Sequence, residues 1–289
     1  MTLNDLMPAR CWDARLALRY ERRDERTVLA GREHFGPLRV QRDLYPEGAA
    51  TCHTIIVHPP GGIAGGDRLS IRAGLGDGSA ALLTTPGAGK WYRSAGAAAS
   101  QSLEFEVGAD AVLEWLPQEN IVFNGAEAQM NTRVDLCGNG VFLGWEVLCL
   151  GRTASGERFD SGSLRTRTEL RRDGRRLWLE QGRLSGGDPL LSSPVGLAGH
   201  SVCATLVAAG ALWDSYDKSG ASGALLAACR AVSAGEGALA GVTQVPGVLI
   251  ARWLGDSSED ARSYFTALWM LLRPAMKNTA AQLPRIWSS

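Results

Sequence analysis

A chain of 289 residues with 30 Lys plus Arg against 30 Asp plus Glu has a formal net charge of zero. That balance argues against nucleic acid and anionic membrane as bulk electrostatic partners. It also leaves little self-repulsion, so low solubility alone and stabilisation by protein partners are expected. The length is enough to bury a sizeable core without disulfide staples.

Six cysteines stand at 11, 52, 137, 149, 203 and 229, with no Cys-x-x-Cys pair among them. A zinc knuckle or redox dithiol therefore lacks local support, and mostly buried, reduced thiols are expected. The first eight residues show no basic stretch followed by an apolar one. No apolar run approaches the roughly 20 residues of a membrane-crossing helix. The chain reads as cytoplasmic, with no membrane partner.

Period-two alternation sets in early. Ala14, Leu16, Leu18 and Tyr20 alternate with Arg15, Ala17, Arg19 and Glu21. Leu103, Phe105 and Val107 alternate with Glu104 and Glu106, and Leu164, Thr166, Thr168 and Leu170 with Arg165, Arg167, Glu169 and Arg171. Such runs, cut by Gly-Asp, Gly-Asn and Asp-Gly turn signals, predict half-buried antiparallel strands. Val141–Leu150 is nearly all apolar and predicts a strand buried on both faces. Helical signals come late. Residues 221–233 are rich in Ala and Leu and stop at Gly235. Residues 258–276 place Ala261, Tyr264, Phe265, Leu268 and Leu272 on one face, with Ser257 as cap and Pro274 expected to end or kink the helix. Between the helices, residues 247–253 predict another strand. With no repeat, low-complexity tract or linker, residues 1–289 read as a single domain. The expected fold class is mainly β, a many-stranded antiparallel β domain with two helices near the C-terminus.

The densest local signal is His58-Pro59-Pro60-Gly61-Gly62-Ile63-Ala64-Gly65-Gly66-Asp67. Two prolines stiffen the chain and four glycines open backbone shapes closed to other residues, so the loop is built for a shape that ends in an acid. It is not a dinucleotide fingerprint, because the third position from Gly61 is Ile63. Pro86-Gly87-Ala88-Gly89-Lys90 is not a phosphate-binding loop either: Thr84 stands where the first Gly belongs and Trp91 where Ser or Thr should follow. No Gly-x-Ser-x-Gly elbow is present, and Asp160-Ser161-Gly162-Ser163 lacks the glycine that precedes a serine-protease nucleophile. His53 and His58 are five apart and so diverge on an unbroken strand; no spacing gathers the three or four ligands of a tight metal site.

Four segments together carry a resemblance: the glycine loop above; Thr85-Pro86-Gly87-Ala88-Gly89-Lys90-Trp91-Tyr92-Arg93-Ser94; Glu114-Trp115-Leu116-Pro117-Gln118-Glu119; and Leu283-Pro284-Arg285-Ile286-Trp287. In order and spacing they closely resemble the urease accessory protein UreD family, called UreH in some organisms. Gly36-Pro37-Leu38, Val40-Gln41-Arg42 and Cys149-Leu150-Gly151-Arg152 fit as well, so the resemblance runs nearly end to end. It implies a many-stranded β fold with a short helical element and a non-enzymatic role. The partners it implies are apo-urease, UreF and, through UreF, the GTPase UreG. It also implies a passage for nickel, with no tightly bound cofactor. Asp67 and Glu180, with His58, are the candidates for weak nickel transit. An acid at Glu180 breaks an apolar strand, and a solvated edge strand explains it equally. Lys90, Trp91, Tyr92, Arg93, Trp115, Arg285 and Trp287 are candidates for partner contact, against ordinary packing for the same residues. Two other readings stand beside this one: a β-rich hydrolase using Asp67 with His58, and a structural interaction module with no metal route.

Overall fold

A computed structural model describes residues 11–215 and 220–288. The first eight residues, read above for targeting, lie outside the described residues. Among those described, no helix is long and apolar enough to cross a membrane.

The chain winds between two facing sheets. A hairpin of β1 (Asp13–Arg23) and β2 (Arg26–Phe35) begins the first sheet; β3 (Arg39–Val40) and β4 (Cys52–Val57) begin the second. The path then alternates. The first sheet receives β5 (Arg68–Leu75), β8 (Ala99–Val107), β11 (Glu127–Leu136) and β13 (Ser163–Arg172). The second receives β6 (Ala80–Thr84), β9 (Val112–Trp115) and β12 (Val141–Leu150), with short β7 (Gly89–Trp91) and β10 (Asn120–Val122) beside them. β14 (Arg175–Ser185) closes the first sheet as a hairpin with β13. The second is completed by β15 (Val202–Ala209), β16 (Leu239–Val245) and β17 (Val248–Gly255), while α1 (Ala221–Arg230) and α2 (Ser258–Lys277) pack outside it.

The mainly β expectation with two late helices is met, but "antiparallel" holds only in part. In the seven-stranded first sheet β1, β5, β8, β11 and β13 run parallel, and hairpins close both ends. The ten-stranded second sheet is likewise parallel from β4 through β6 and β9 to β12, then antiparallel through β15, β17 and β16. Period two reports which face a residue takes, not which way its neighbour runs. Parallel neighbours need a crossover, usually a helix. Here each crossover is a strand of the opposite sheet, giving a solenoid-like coil with no helical signature.

Burial follows that coil. Ala14, Leu16, Leu18 and Tyr20 point into the space between the sheets, and Arg15 and Arg19 point to solvent, as the alternation predicts. β12 has Phe142 and Leu148 in the inter-sheet core, and Leu143, Trp145 and Val147 in a second core beneath the helices. It is the doubly buried strand expected of its sequence. Phe105 stacks near Trp115 and Phe142, with centroids at 5.6 and 6.2 Å, and joins the two sheets.

α2 is held by buried charge. Arg273, 1% exposed, donates through Nε to Glu114 at 2.9 and 3.1 Å and through Nη2 to Glu47 at 2.7 and 2.6 Å. Its Nη1 donates to the Ala280 carbonyl, and Trp269 Nε1 reaches Glu114 at 2.6 Å. His53 meets Glu47 at 2.5 Å, and Lys277 Nζ reaches Thr51 at 2.6 Å. Ser257 caps the helix by accepting from Asp260 N–H at 3.1 Å. Pro274 does not end it: the helix continues to Lys277, where left-handed Asn278 donates back to the Pro274 carbonyl. Arg273 and Lys277, anchored on either side, hold the last turn in place despite the backbone donor that proline lacks.

Burial opposes ionisation of Glu47, yet hydrogen bonds from His53 and Arg273 outweigh it and hold its pKa at about 2, against an ordinary 4.5. A depressed carboxyl contributes stability that is full above 4.5 and fades as pH falls toward 2. On the order of 3 kcal/mol is at stake. Urea denaturation across that range should show a steep acid loss in the wild type and a flatter profile in Glu47→Gln. Arg273→Met at neutral pH should lose about 3–5 kcal/mol, because it strands Glu47 and Glu114.

Candidate functional site: a cavity between the sheets

The inter-sheet space changes character along the coil. One row of inward side chains across the first sheet reads Leu16, Ile71, Leu103, Thr132, Thr168 and Glu180. It starts apolar and ends polar. Across the second sheet a facing row reads Glu146, Thr205 and Arg252. Where both rows are polar the sheets do not close on one another. A cavity of about 790 Å³ remains, reaching from the glycine loop at His58 and Gly62, past Lys90 and Gln101, to the edges of β14 and β16.

Glu180 lies on an edge strand, as one reading of the sequence allowed, but its side chain turns inward. It accepts from Arg252 Nη1 at 2.7 Å, linking the two sheets across the cavity, and the same nitrogen reaches Thr205 Oγ1 at 3.1 Å. Glu146 faces the same space. Burial, with the charge of Glu180 adding to it, pushes Glu146 up to about 7. Cys203 lines the wall nearby, and burial followed by the charge of Glu146 raises its thiol to about 12, so it stands there as a neutral thiol.

At the other end His58 lines the cavity with Nε2 buried and unpartnered. Burial lowers its pKa and the nearby Asp67 charge opposes that shift. Asp67 itself is 4% exposed and is not among the lining residues. Its oxygens accept from Trp12 N–H at 2.7 Å and Ala64 N–H at 2.8 Å, so it closes the glycine loop from within. Among the described residues no hydrogen bond joins Asp67 to His58, whose Nε2 is unpartnered. Gly62 is needed for contact: a Cβ there would lie 2.2 Å from the Tyr92 ring. The segment after Pro86 leads into strand β7, not a helix N-terminus, consistent with the missing phosphate-loop residues.

The candidate contact residues divide. Trp91, with Nε1 on Asn120 Oδ1 at 3.1 Å, and Trp115 are core in this chain. Trp287 folds back between Trp145 and Trp269 and donates to Thr84 Oγ1 at 2.9 Å. Lys90, Arg93 and Arg285 are exposed, and Tyr92 is partly so, edge-on to Phe123. The cysteines are all free; Cys52 and Cys229 are buried as expected, whereas Cys11 and Cys137, at loop positions, are exposed. Among the described residues no group of three or more His, Cys, Asp or Glu could hold a metal ion. The cavity lining holds two carboxylates, Glu146 and Glu180.

Glu146, Arg252, Cys203 and the threonine rows were missed by sequence reasoning. Glu146 had a signal: it is the single acid inside the doubly buried run Val141–Leu150. The threonines had none, since a threonine on a strand is ordinary.

A raised carboxyl favours the fold while protonated. The contribution of Glu146 is full below 4.5 and is lost as pH rises through about 7. Glu146→Gln should therefore stabilise the protein at pH 8, by on the order of 2–3 kcal/mol, and leave it unchanged at pH 4. Denaturant titration at both pH values measures the difference.

The family model for UreD urease accessory protein matches residues 13–288. A protein named Urease accessory protein UreD from Azoarcus sp. is 56% identical over 278 residues, covering 96% of this chain and 94% of its own. One of the same name from Dechloromonas aromatica is 54% identical, covering 96% and 95%. Another from Pseudomonas aeruginosa is 49% identical over 289 residues, covering 99% of each.

Proposed function

From the premise that this chain belongs to the UreD family of urease accessory proteins, we propose that it is a non-enzymatic nickel-insertion chaperone of the cytoplasm, one that guides nickel through the inter-sheet cavity toward apo-urease. Apo-urease binds one surface and the UreF–UreG subcomplex another, with UreG held through UreF. The exposed side chains of Lys90, Tyr92, Arg93 and Arg285 serve as partner contacts.

The observation that carries this reading is the character of the cavity. A divalent ion of intermediate softness accepts imidazole, carboxylate and water. The walls offer those ligands sparsely: His58 at one end, then Glu146 and Glu180 near the other, separated by amide and hydroxyl side chains. Sparse ligands hold an ion briefly and release it, whereas a closed site with three or four would retain it. Arg252, already paired with Glu180, keeps that carboxylate from binding too tightly by competing for it. Asp67 acts as a positioning residue, shaping the loop that presents His58.

The test is urease activation in a reconstituted mixture of this chain, UreF, UreG and apo-urease. Glu180→Ala and Glu146→Gln should co-purify with all three partners yet activate urease several-fold less at limiting nickel, with recovery when nickel is in excess. Unchanged activation at limiting nickel would remove the metal route and leave a plain scaffold.

A further inference from the structure

Free strand edges are normally blunted by charge, proline or cover, because bare backbone invites another strand. In the first sheet the outer strands follow that rule: β2 carries Arg26, Arg32 and Glu33, and β14 carries Arg175, Arg176 and Arg183. In the second, β3 is only two residues long. The opposite edge of that sheet, β16, differs. Its sequence Leu239-Ala240-Gly241-Val242-Thr243-Gln244-Val245 has no charged residue and no proline. Leu239 is 57% exposed, Ala240 and Gly241 are exposed, and a Cβ on Gly241 would meet nothing within 4 Å.

The orientation of this edge follows from one contact. Arg230, the last residue of α1, donates from Nε to the Val242 carbonyl at 2.9 Å. Val242 therefore aims its backbone away from β17, and by the antiparallel alternation Ala240 does the same. Arg230 caps the edge at Val242 and leaves residues 239–241 open. Among the described residues no carboxylate forms an ion pair with Arg230. Against this open stretch lies a hollow of about 550 Å³, walled by Val232, Ala234, Ala238 and Tyr264, with Arg230 at its margin.

A strand edge open at Ala240, a hollow beside it and a guanidinium with no carboxylate partner among the described residues are the three parts of a site for strand addition. We propose that β16 receives an extended segment of a partner protein, which pairs with Ala240, places an apolar side chain in the hollow and ends in a carboxylate held by Arg230. Charge complementarity selects the occupant: a second copy of this chain would bring another uncharged β16 and leave Arg230 unanswered.

The probe is a fluorescent hexapeptide of alternating valine and threonine with leucine last, compared as free acid and C-terminal amide. Titrated into the full-length chain, the acid should bind saturably and slow hydrogen exchange at the Ala240 amide. The amide peptide should bind at least tenfold more weakly, as should the acid to Arg230→Gln. Ala240→Pro removes an outward donor and leaves the β17 ladder intact, so it should keep the wild-type melting temperature while losing the acid peptide. Absence of saturable binding, equal affinity for acid and amide, or no change in exchange at Ala240 would each overturn the proposal. The exchange measurement decides the matter in the wild type even if the proline variant fails to fold.

Discussion

A guanidinium taken out of water must be met by carboxylates, and Arg273 is met by two that come from far apart in the chain. Glu47 belongs to the loop before β4, and Glu114 to β9 in the middle of the second sheet. Satisfying one cation thus sets the position of α2 against the sheet, the path of the loop before β4 and the environment of His53. Lys277 and Trp269 complete the network from the same helix. Replacing such a cluster with apolar side chains is often tolerated, whereas removing one member is not.

With the helices pinned outside, the second sheet is covered on that face and the space between the sheets is free to vary. Near β1, β5 and β8 its walls are mostly leucine, isoleucine and phenylalanine, with Ile71 and Leu103 still lining the cavity. Toward β14 and β17 the same rows carry threonine, glutamate and arginine. Polar walls do not collapse onto each other without partners, so the coil stays open there. Arg252 and Glu180 span the opening as an ion pair between the two sheets.

The one acid that the sequence marked most strongly, Asp67, is spent on holding backbone amides in the glycine loop. The acids that line the cavity, Glu146 and Glu180, stand within ordinary-looking strands. Glycines and prolines advertise a loop's shape. A carboxylate that lines a cavity differs from a surface one only in where its strand is placed.

Strand positions, the doubly buried run Val141–Leu150, the Ser257 cap and the apolar stripe of α2 were all legible in the sequence. They depend on local periodicity and on contacts within a few residues. Strand direction, the pairing of Arg273 with Glu47 and Glu114, the continuation of α2 past Pro274 and the meeting of Glu146 with Glu180 were decided only by the tertiary structure. Each joins residues tens to hundreds of positions apart, and no local pattern encodes which distant strand will become a neighbour. The sequence by itself determined which side chains face inward; the coil determined which of them face one another.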